Sequence, residues 1–428
     1  MTKQKHSYTL GLAWLSAVFL LPFPLIFTFM TGLPAIYATN RVGYALGIYA
    51  YVWMLLAIYI GTKPKWLDRL IGLPMAYMIH GILSLVAILF SFMHKNLSPS
   101  EGLIQLTGNV AFAMFFTIAL YSMIFMAGWL TSRVPALSKI KLLLEKVFRH
   151  EVSVLLHRLN IIATLLVFIH VQLIPYVRSN TSFMIVFYIM SFYVFGNYFW
   201  HKYKPNALGY KSLLLENKEI APNIHELRIK IPKKLQKGLR PGDFVFISFP
   251  KIKGLEEPHP FSIVNDPYTE SELVLAIRGD GDFTTLLQSV EAPVDLRVDG
   301  GYGMYQTIID EQKPKELLIV TGGIGITPIL SIIEANPSIK TTVFHSASTE
   351  AALIYEDLFK KWSNRVNFEF HRSVGRYDDE EVLSHLPKNT SNLAVLVSGP
   401  AAMGRHWIKT MASHGVPKTQ IFYEEFGW

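Results

Sequence analysis

Cysteine is absent from all 428 residues. Disulfides, thiolate nucleophiles and zinc or iron–sulfur centres held by cysteine are therefore excluded. Charge is scarce as well, at 17% of residues against 51% hydrophobic ones. The scarcity is uneven: up to about residue 200 the chain runs in long apolar stretches, and beyond that it alternates like a protein in water. There is no calcium-loop pattern, internal repeat or long low-complexity tail. Activity without added regulatory factors, and no obligate protein partner, is therefore expected. The formal charge of +8 would suit nucleic acid, but much of the excess lies beside the apolar runs. There it indicates orientation in a membrane, so a lipid bilayer rather than nucleic acid is the expected partner.

Six apolar segments, at 10–30, 42–60, 70–92, 103–130, 151–174 and 181–200, are long enough to cross hydrocarbon, which takes about 20 helical residues. The first has no small-residue cleavage site after it and reads as an uncleaved span, kinked at Pro22 and Pro24. Lys3, Lys5, Lys63, Lys65, Arg69, Arg133, Lys139, Lys141, Lys146, Arg149, Lys202, Lys204 and Lys211 fall on one side of the implied bilayer. The other side offers Arg41, Lys95 and Arg178. The excess of positive charge predicts a multi-pass protein of the plasma membrane with both termini in the cytoplasm.

Ionisable side chains inside a membrane are costly and mark function. The third segment contains "HGILSLVAILFSFMH", with His80 and His94 at its ends, and the fifth contains "HRLNIIATLLVFIH", with His157 and His170. The two segments run in the same direction. Measured from Arg69 and Arg149, His80 and His157 lie about 16 and 12 Å along their axes, and His94 and His170 about 37 and 32 Å. Two pairs of imidazoles at two matched levels suit two b-type haems, each held from both faces. One misfit remains. At 3.6 residues per turn, fourteen residues fall about 40° short of whole turns but thirteen fall about 140° short. A regular fifth helix would not present His157 and His170 on one stripe. Arg158 suits either a haem propionate or an interface-seeking arginine.

The aqueous half opens with barrel-type strands. In "RPGDFVFISFP" (240–250), Phe244, Phe246 and Ser248 alternate after a Pro-Gly turn. "HPFSIVND", "LVLAIRGDGDFTTLL" and "VDGGYG" follow. After residue 311 the style changes. "LLIV" and "TGGIGITPIL" form a buried strand, a glycine turn and a helix start, the parallel α/β signature. Such a turn lets backbone N–H groups approach a pyrophosphate. A second strand and turn, "LAVLVSGPAAM", comes about 75 residues later.

Together these motifs make the whole chain resemble the ferric reductase and NADPH oxidase superfamily. The resemblance implies a membrane all-α six-helix bundle over 1–205, an antiparallel β-barrel FAD domain over 206–310 and a Rossmann-like α/β NAD(P)H domain over 311–428. The last two form a ferredoxin-reductase-like module. It pairs His80 with His157 and His94 with His170 as metal ligands of two haem b groups, with Arg158 beside the inner one. It implies flavin contacts at His259, Pro260, Phe261 and Ser262, at Arg278, and at Gly281, Asp282, Phe283 and Thr284. The turn of Gly322, Gly323, Ile324, Gly325, Thr327 and Pro328, with Ser346, would hold the nucleotide. Gly399, Pro400 and Met403 would face the nicotinamide. Phe426 would stack on the flavin, with Trp428 as the alternative. No side chain is assigned a catalytic role.

Three departures stand out. Ser398 occupies a position where relatives commonly have cysteine. Gly300-Gly301-Tyr302-Gly303 lacks the proline that is commoner second. Ser348 stands where NADPH users commonly place arginine, leaving Arg372 or Arg376 to take that role and the donor open between NADPH and NADH. The implied activity is electron transfer from NAD(P)H through FAD and two haems to an external acceptor, either dioxygen, giving superoxide, or ferric iron. Two other classes compete: a membrane protein whose histidines bind a transition metal or relay protons, and a cytosolic flavin reductase on an inert anchor.

Overall fold

The structure, a computed structural model, describes residues 16, 18–125, 150–204, 206–207 and 209–425. It divides into two compact units, Met1–Pro64 with Met75–Lys204, and Lys65–Pro74 with Pro205–Gly427.

In the first unit, α1 (Phe23–Thr31) and α2 (Arg41–Gly61) come first. Then follow α4 (Leu73–Leu97) and α5 (Gly102–Phe125), with the short α3 (Lys65–Ile71) of the other unit before them. The unit closes with α6 (His150–Arg158), α7 (Asn160–Gln172) and α8 (Thr181–Tyr203). Among the described residues, five helical stretches are long and apolar enough to cross a membrane: Ala35–Gly61, Leu73–Leu97, Gly102–Met123, Val154–Gln172 and Thr181–Tyr203. Leu25 and Phe29 of α1 pack with Val52, Leu55 and Phe187 on the inner faces of these helices. Their outer faces are apolar too, with Leu89, Phe92, Phe116, Ile189 and Phe192 exposed. Helices hydrophobic all round belong inside a larger core or in lipid. The buried hydroxyls of Tyr51 and Ser191 satisfy each other at 2.8 Å, joining α2 to α8.

Two expectations about the spans change, and parts of two others lie outside the described residues. The first segment is interrupted by a turn at Leu21–Pro22 before α1, and the part before residue 16 lies outside the described residues. So does the end of the fourth segment with Arg133, Lys139, Lys141, Lys146 and Arg149. The third span does not start at residue 70. Gly72, at φ +79°, ends α3 in a left-handed conformation that suits glycine, and α4 starts afresh at Leu73. Depths counted from Arg69 therefore do not follow one helix axis.

The second unit holds two sheets. β1 (Tyr210–Ala221), β2 (Ile224–Lys230), β3 (Phe244–Ser248), β4 (His259–Ser262), β5 (Glu272–Arg278) and β6 (Val294–Tyr302) form an antiparallel sheet in the order β4-β3-β6-β1-β2-β5. A bridge between Ile263 and Leu275 brings its two edges together, closing it as a barrel. The alternation predicted for 244–248 is not an inside–outside one. All five residues are buried, with Val245 and Ile247 in the barrel core. Phe244 and Phe246 pack on the opposite face against Tyr302.

β7 (Glu316–Gly322), β8 (Lys340–Ala347), β9 (Phe368–Val374), β10 (Leu393–Gly399) and β11 (Ile421–Glu425) form a wholly parallel sheet in the order β11-β10-β7-β8-β9. Its central strand is covered on both sides. Leu317 and Ile319 enter one core, and Leu318 and Val320 the other. The order runs outwards in both directions from β7, so the strand connections diverge between β7 and β10. Ligands of open α/β sheets bind at the carboxyl ends of strands at such a switch point.

Candidate functional site

The four histidines of the apolar unit come together in two pairs. The rings of His80 and His157 have centres 5.8 Å apart, and those of His94 and His170 are 6.4 Å apart. Metal–imidazole bonds of about 2.0–2.1 Å, plus part of a ring on each side, put two imidazoles on opposite faces of one metal ion with centres about 6.4 Å apart. The separations fit a metal-centred macrocycle between the rings.

The other ring nitrogens are already engaged. His80 Nδ1–H donates to Ala57 O at 2.9 Å and His94 Nδ1–H to Gly43 O at 2.8 Å, both acceptors on α2. His170 Nδ1–H donates to Ile104 O at 2.9 Å, and His157 Nδ1 shares a 3.0 Å hydrogen bond with the Ser122 hydroxyl, both on α5. A carbonyl only accepts, so the proton of those three rings is on Nδ1 and the Nε2 lone pair is free to ligate. Small residues make the room: a Cβ at Gly47 would stand 2.8 Å from His94 Nδ1, and one at Gly108 3.2 Å from His170 Cε1.

A break in the fifth apolar segment answers the thirteen-residue misfit. α6 stops at Arg158 and α7 begins at Asn160; at the junction Leu159 N bonds Leu156 O, three residues back. Such a tighter turn adds about 20° per residue over the regular 100°. It removes part of the shortfall. Arg158 is exposed at the end of α6.

In the second unit, β7 ends at Gly322, a tight turn follows over Gly323–Ile326, and α11 (Thr327–Ala335) begins, with α9 (Asp282–Gln288) and α10 (Tyr305–Gln312) before it in the chain. Pro328 sits in the first helical turn, where a missing N–H costs nothing. Ser346, one residue before the end of β8, pairs with Gly322. Gly399 ends β10 at φ +152°, and Pro400 leads into α14 (Ala401–Ser413), with α12 (Glu356–Trp362) and α13 (Asp379–Leu383) preceding it. A Cβ at Gly322 would meet Met403 Sδ at 2.8 Å, and one at Gly399 would meet Gly322 N at 3.1 Å. Gly322, Gly399, Pro400 and Met403 thus form one narrow floor at the switch point. Ser398 is fully buried and donates its hydroxyl to Gly325 O at 2.5 Å, tying the two turns together. Ile324 packs beneath on the sheet core.

The barrel residues approach the same place. His259, Pro260, Phe261 and Ser262 constitute β4, and the His259 ring stacks on Phe283 at 4.0 Å. Thr284 Oγ1 accepts from Gly281 N at 2.9 Å, fixing the turn before Asp282. Arg278 pairs with Asp280 at 2.6 Å, and its Nη1 lies 3.7 Å from where a Gly323 Cβ would stand. Arg372 pairs with Glu350 and Glu356. Arg376 is exposed. Phe426 and Trp428 lie outside the described residues.

One buried cluster was not anticipated. Arg69 grips Asp243 with two parallel bonds of 2.6 and 2.7 Å and donates to Gly303 O at 2.8 Å. Asp68 accepts from Gly303 N at 3.1 Å, Glu424 accepts from Met304 N at 2.6 Å, and Lys65 donates to Gly300 O. Four side chains pin residues 300–304. A Cβ at Gly301 would fall 2.0 Å from Asp243 Oδ2, which explains why proline is missing there. Lys65 and Arg69 are therefore not simple orientation charges. Burial pushes Asp68 up to about 6 and Asp243 up to about 7, the latter against the pull of Arg69. Burial raises Glu424 to about 8.

A family profile described as an FAD-binding domain matches residues 216–403. Ferric reduction oxidase 8, mitochondrial, of Arabidopsis thaliana is 29% identical over 119 residues, 25% of this chain and 16% of that protein. Ferric reductase transmembrane component 4 of Saccharomyces cerevisiae is 26% identical over 122 residues, 27% of this chain and 16% of that one. The chain carries an FAD-binding domain over residues 216–403. It spans under a fifth of the length of either curated relative. Among solved structures, a ferredoxin NADP+ reductase from Neisseria gonorrhoeae with bound FAD and NADP is 20% identical. That likeness covers 50% of this chain and 97% of that one, at a TM-score of 0.43.

Proposed function

We propose that this chain is an NAD(P)H oxidoreductase that passes electrons from the cytoplasm through FAD and two b-type haems to an acceptor outside the cell. The domains would be a haem-carrying membrane domain over 1–205, a flavin barrel over 206–310 and a nucleotide domain over 311–428. When bound, FAD would convert a two-electron donor into single electrons and the haems would relay them. The reading rests above all on two imidazole pairs at metal-bridging separation, with the remote nitrogens of the rings already hydrogen-bonded.

The residues have distinct tasks. His80 with His157, and His94 with His170, would ligate, while Ala57, Gly43, Ile104 and Ser122 hold the rings in orientation. The β4 residues and Gly281–Thr284 would line the flavin. The floor of Gly322, Gly399 and Met403 would let a nicotinamide lie close, since no side chain fits above those glycines. The basic residues beside the apolar helices favour a plasma-membrane protein whose second unit is cytoplasmic.

Each NAD(P)H gives up two electrons and one proton, and two acceptor molecules take one electron each. Dioxygen, giving superoxide, is the acceptor we favour; the two ferric reductase relatives support a ferric chelate as the second. In cells or sealed vesicles supplied with NAD(P)H inside, His94→Ala should stop reduction outside while flavin reduction inside persists. Unchanged external reduction in that variant would overturn the route. A superoxide probe and a ferrous-iron chelator, run side by side, separate the acceptors.

A further inference from the structure

We propose that Glu369, His371 and His385 form a site for a borderline divalent cation of the zinc class, on the free edge of the parallel sheet. Glu369 and His371 are two apart on β9, the outermost strand, so they project from one face of it. His385 follows α13 and faces them. One ligand atom from each residue lies within 4.8 Å of the others. His371 Nε2 is 3.1 Å and His385 Nε2 3.6 Å from Glu369 Oε1. Tetrahedral zinc with bonds of about 2.0–2.1 Å separates its donors by about 3.3 Å, which those distances bracket.

The hydrogen bonding calls for a cation. His385 Nδ1–H donates to Glu381 O at 3.0 Å, so in the neutral ring Nε2 carries a lone pair aimed at a carboxylate oxygen. His371 Nε2 is buried and makes no hydrogen bond, because the carboxylate beside it is out of line with the ring. A cation between the three donors satisfies all of them. The rings are also set in place. His371 stacks on the buried Phe344 at 4.5 Å and 8°, and His385 meets the same ring edge-on at 5.1 Å. Two imidazoles and one carboxylate suit Zn²⁺ or Co²⁺ rather than the all-oxygen cations, and leave a position for water. The site ties the sheet edge to the segment after α13 and closes the loop bearing Arg376.

The test titrates Co²⁺ into the full-length protein, following its visible d–d bands, and measures melting with and without Zn²⁺. His371→Ala, His385→Ala and Glu369→Gln should each weaken binding by more than the roughly 10–100-fold that losing an outer-shell partner costs. His414→Ala, an exposed histidine elsewhere, should leave it unchanged. Zn²⁺ should raise the melting temperature of wild type and of His414→Ala, but not of Glu369→Gln, a change at an exposed carboxylate that leaves the packed rings in place. Equal affinity in wild type and Glu369→Gln, or a wild-type protein that binds neither metal, would overturn the proposal.

Discussion

Two clusters of buried polar groups, one in each unit, are satisfied in opposite ways. In the apolar unit each of four imidazoles has one nitrogen bonded, to a carbonyl or a hydroxyl, and keeps one nitrogen uncommitted toward a partner ring. In the other unit Arg69 pairs with Asp243, and Arg69, Asp68 and Glu424 bond the backbone of 301–304. A group with coordinating capacity left over is poised for a ligand. A group with none left serves architecture. The distinction rests on hydrogen-bond accounting rather than on residue type, since histidine and carboxylate are both common in either role.

Breaking one ring of a pair should have the largest effect. His157→Ala or His170→Ala should abolish the metal centre at that level and leave the other, read as a halved haem content. Next, Arg69→Met leaves Asp243 buried without its partner. We expect a loss of about 3–5 kcal/mol in the unfolding free energy of the aqueous unit, and partial recovery when Asp243→Leu is added. Ser122→Ala sharpens the comparison within the apolar unit, because Ser122 bonds His157 through a hydroxyl, whereas His80, His94 and His170 each reach a carbonyl. Removing it should weaken retention at the inner level by about 10–100-fold, seen in competition with a haem scavenger, with the outer level unaffected.

A further test concerns pH. Glu424 is raised by burial to about 8, above the roughly 4.3 of an unfolded glutamate. Between those values the folded state holds a proton that the unfolded state releases. Its stabilising contribution is full below about 4.3 and is lost as pH rises through 8, by at most about 1.4 kcal/mol per unit. Denaturant midpoints of wild type should therefore fall from pH 5 to pH 9, and Glu424→Gln should flatten that slope.

Some of this was legible in sequence and some was not. The histidine spacing and the turn at 322–328 stand out because glycines after a strand and ionisable rings in an oily segment are locally improbable. The break at Leu159 carries no proline or glycine; only the arithmetic of thirteen residues hinted at it. Arg69 looks like any basic residue flanking a span until Asp243, far along the chain, meets it. Phe244 and Phe246 alternate as expected, yet both faces of their strand are covered, which periodicity alone does not distinguish. His385 is separated from Glu369 and His371 by a loop and a helix, so only the fold assembles the three.

The most direct measurement is the reduced-minus-oxidised absorbance spectrum of the purified chain, quantified per polypeptide. The account predicts a Soret band and low-spin b-type features at two haems per chain, falling to one in His94→Ala. A colourless protein, or one haem in both wild type and variant, would contradict it.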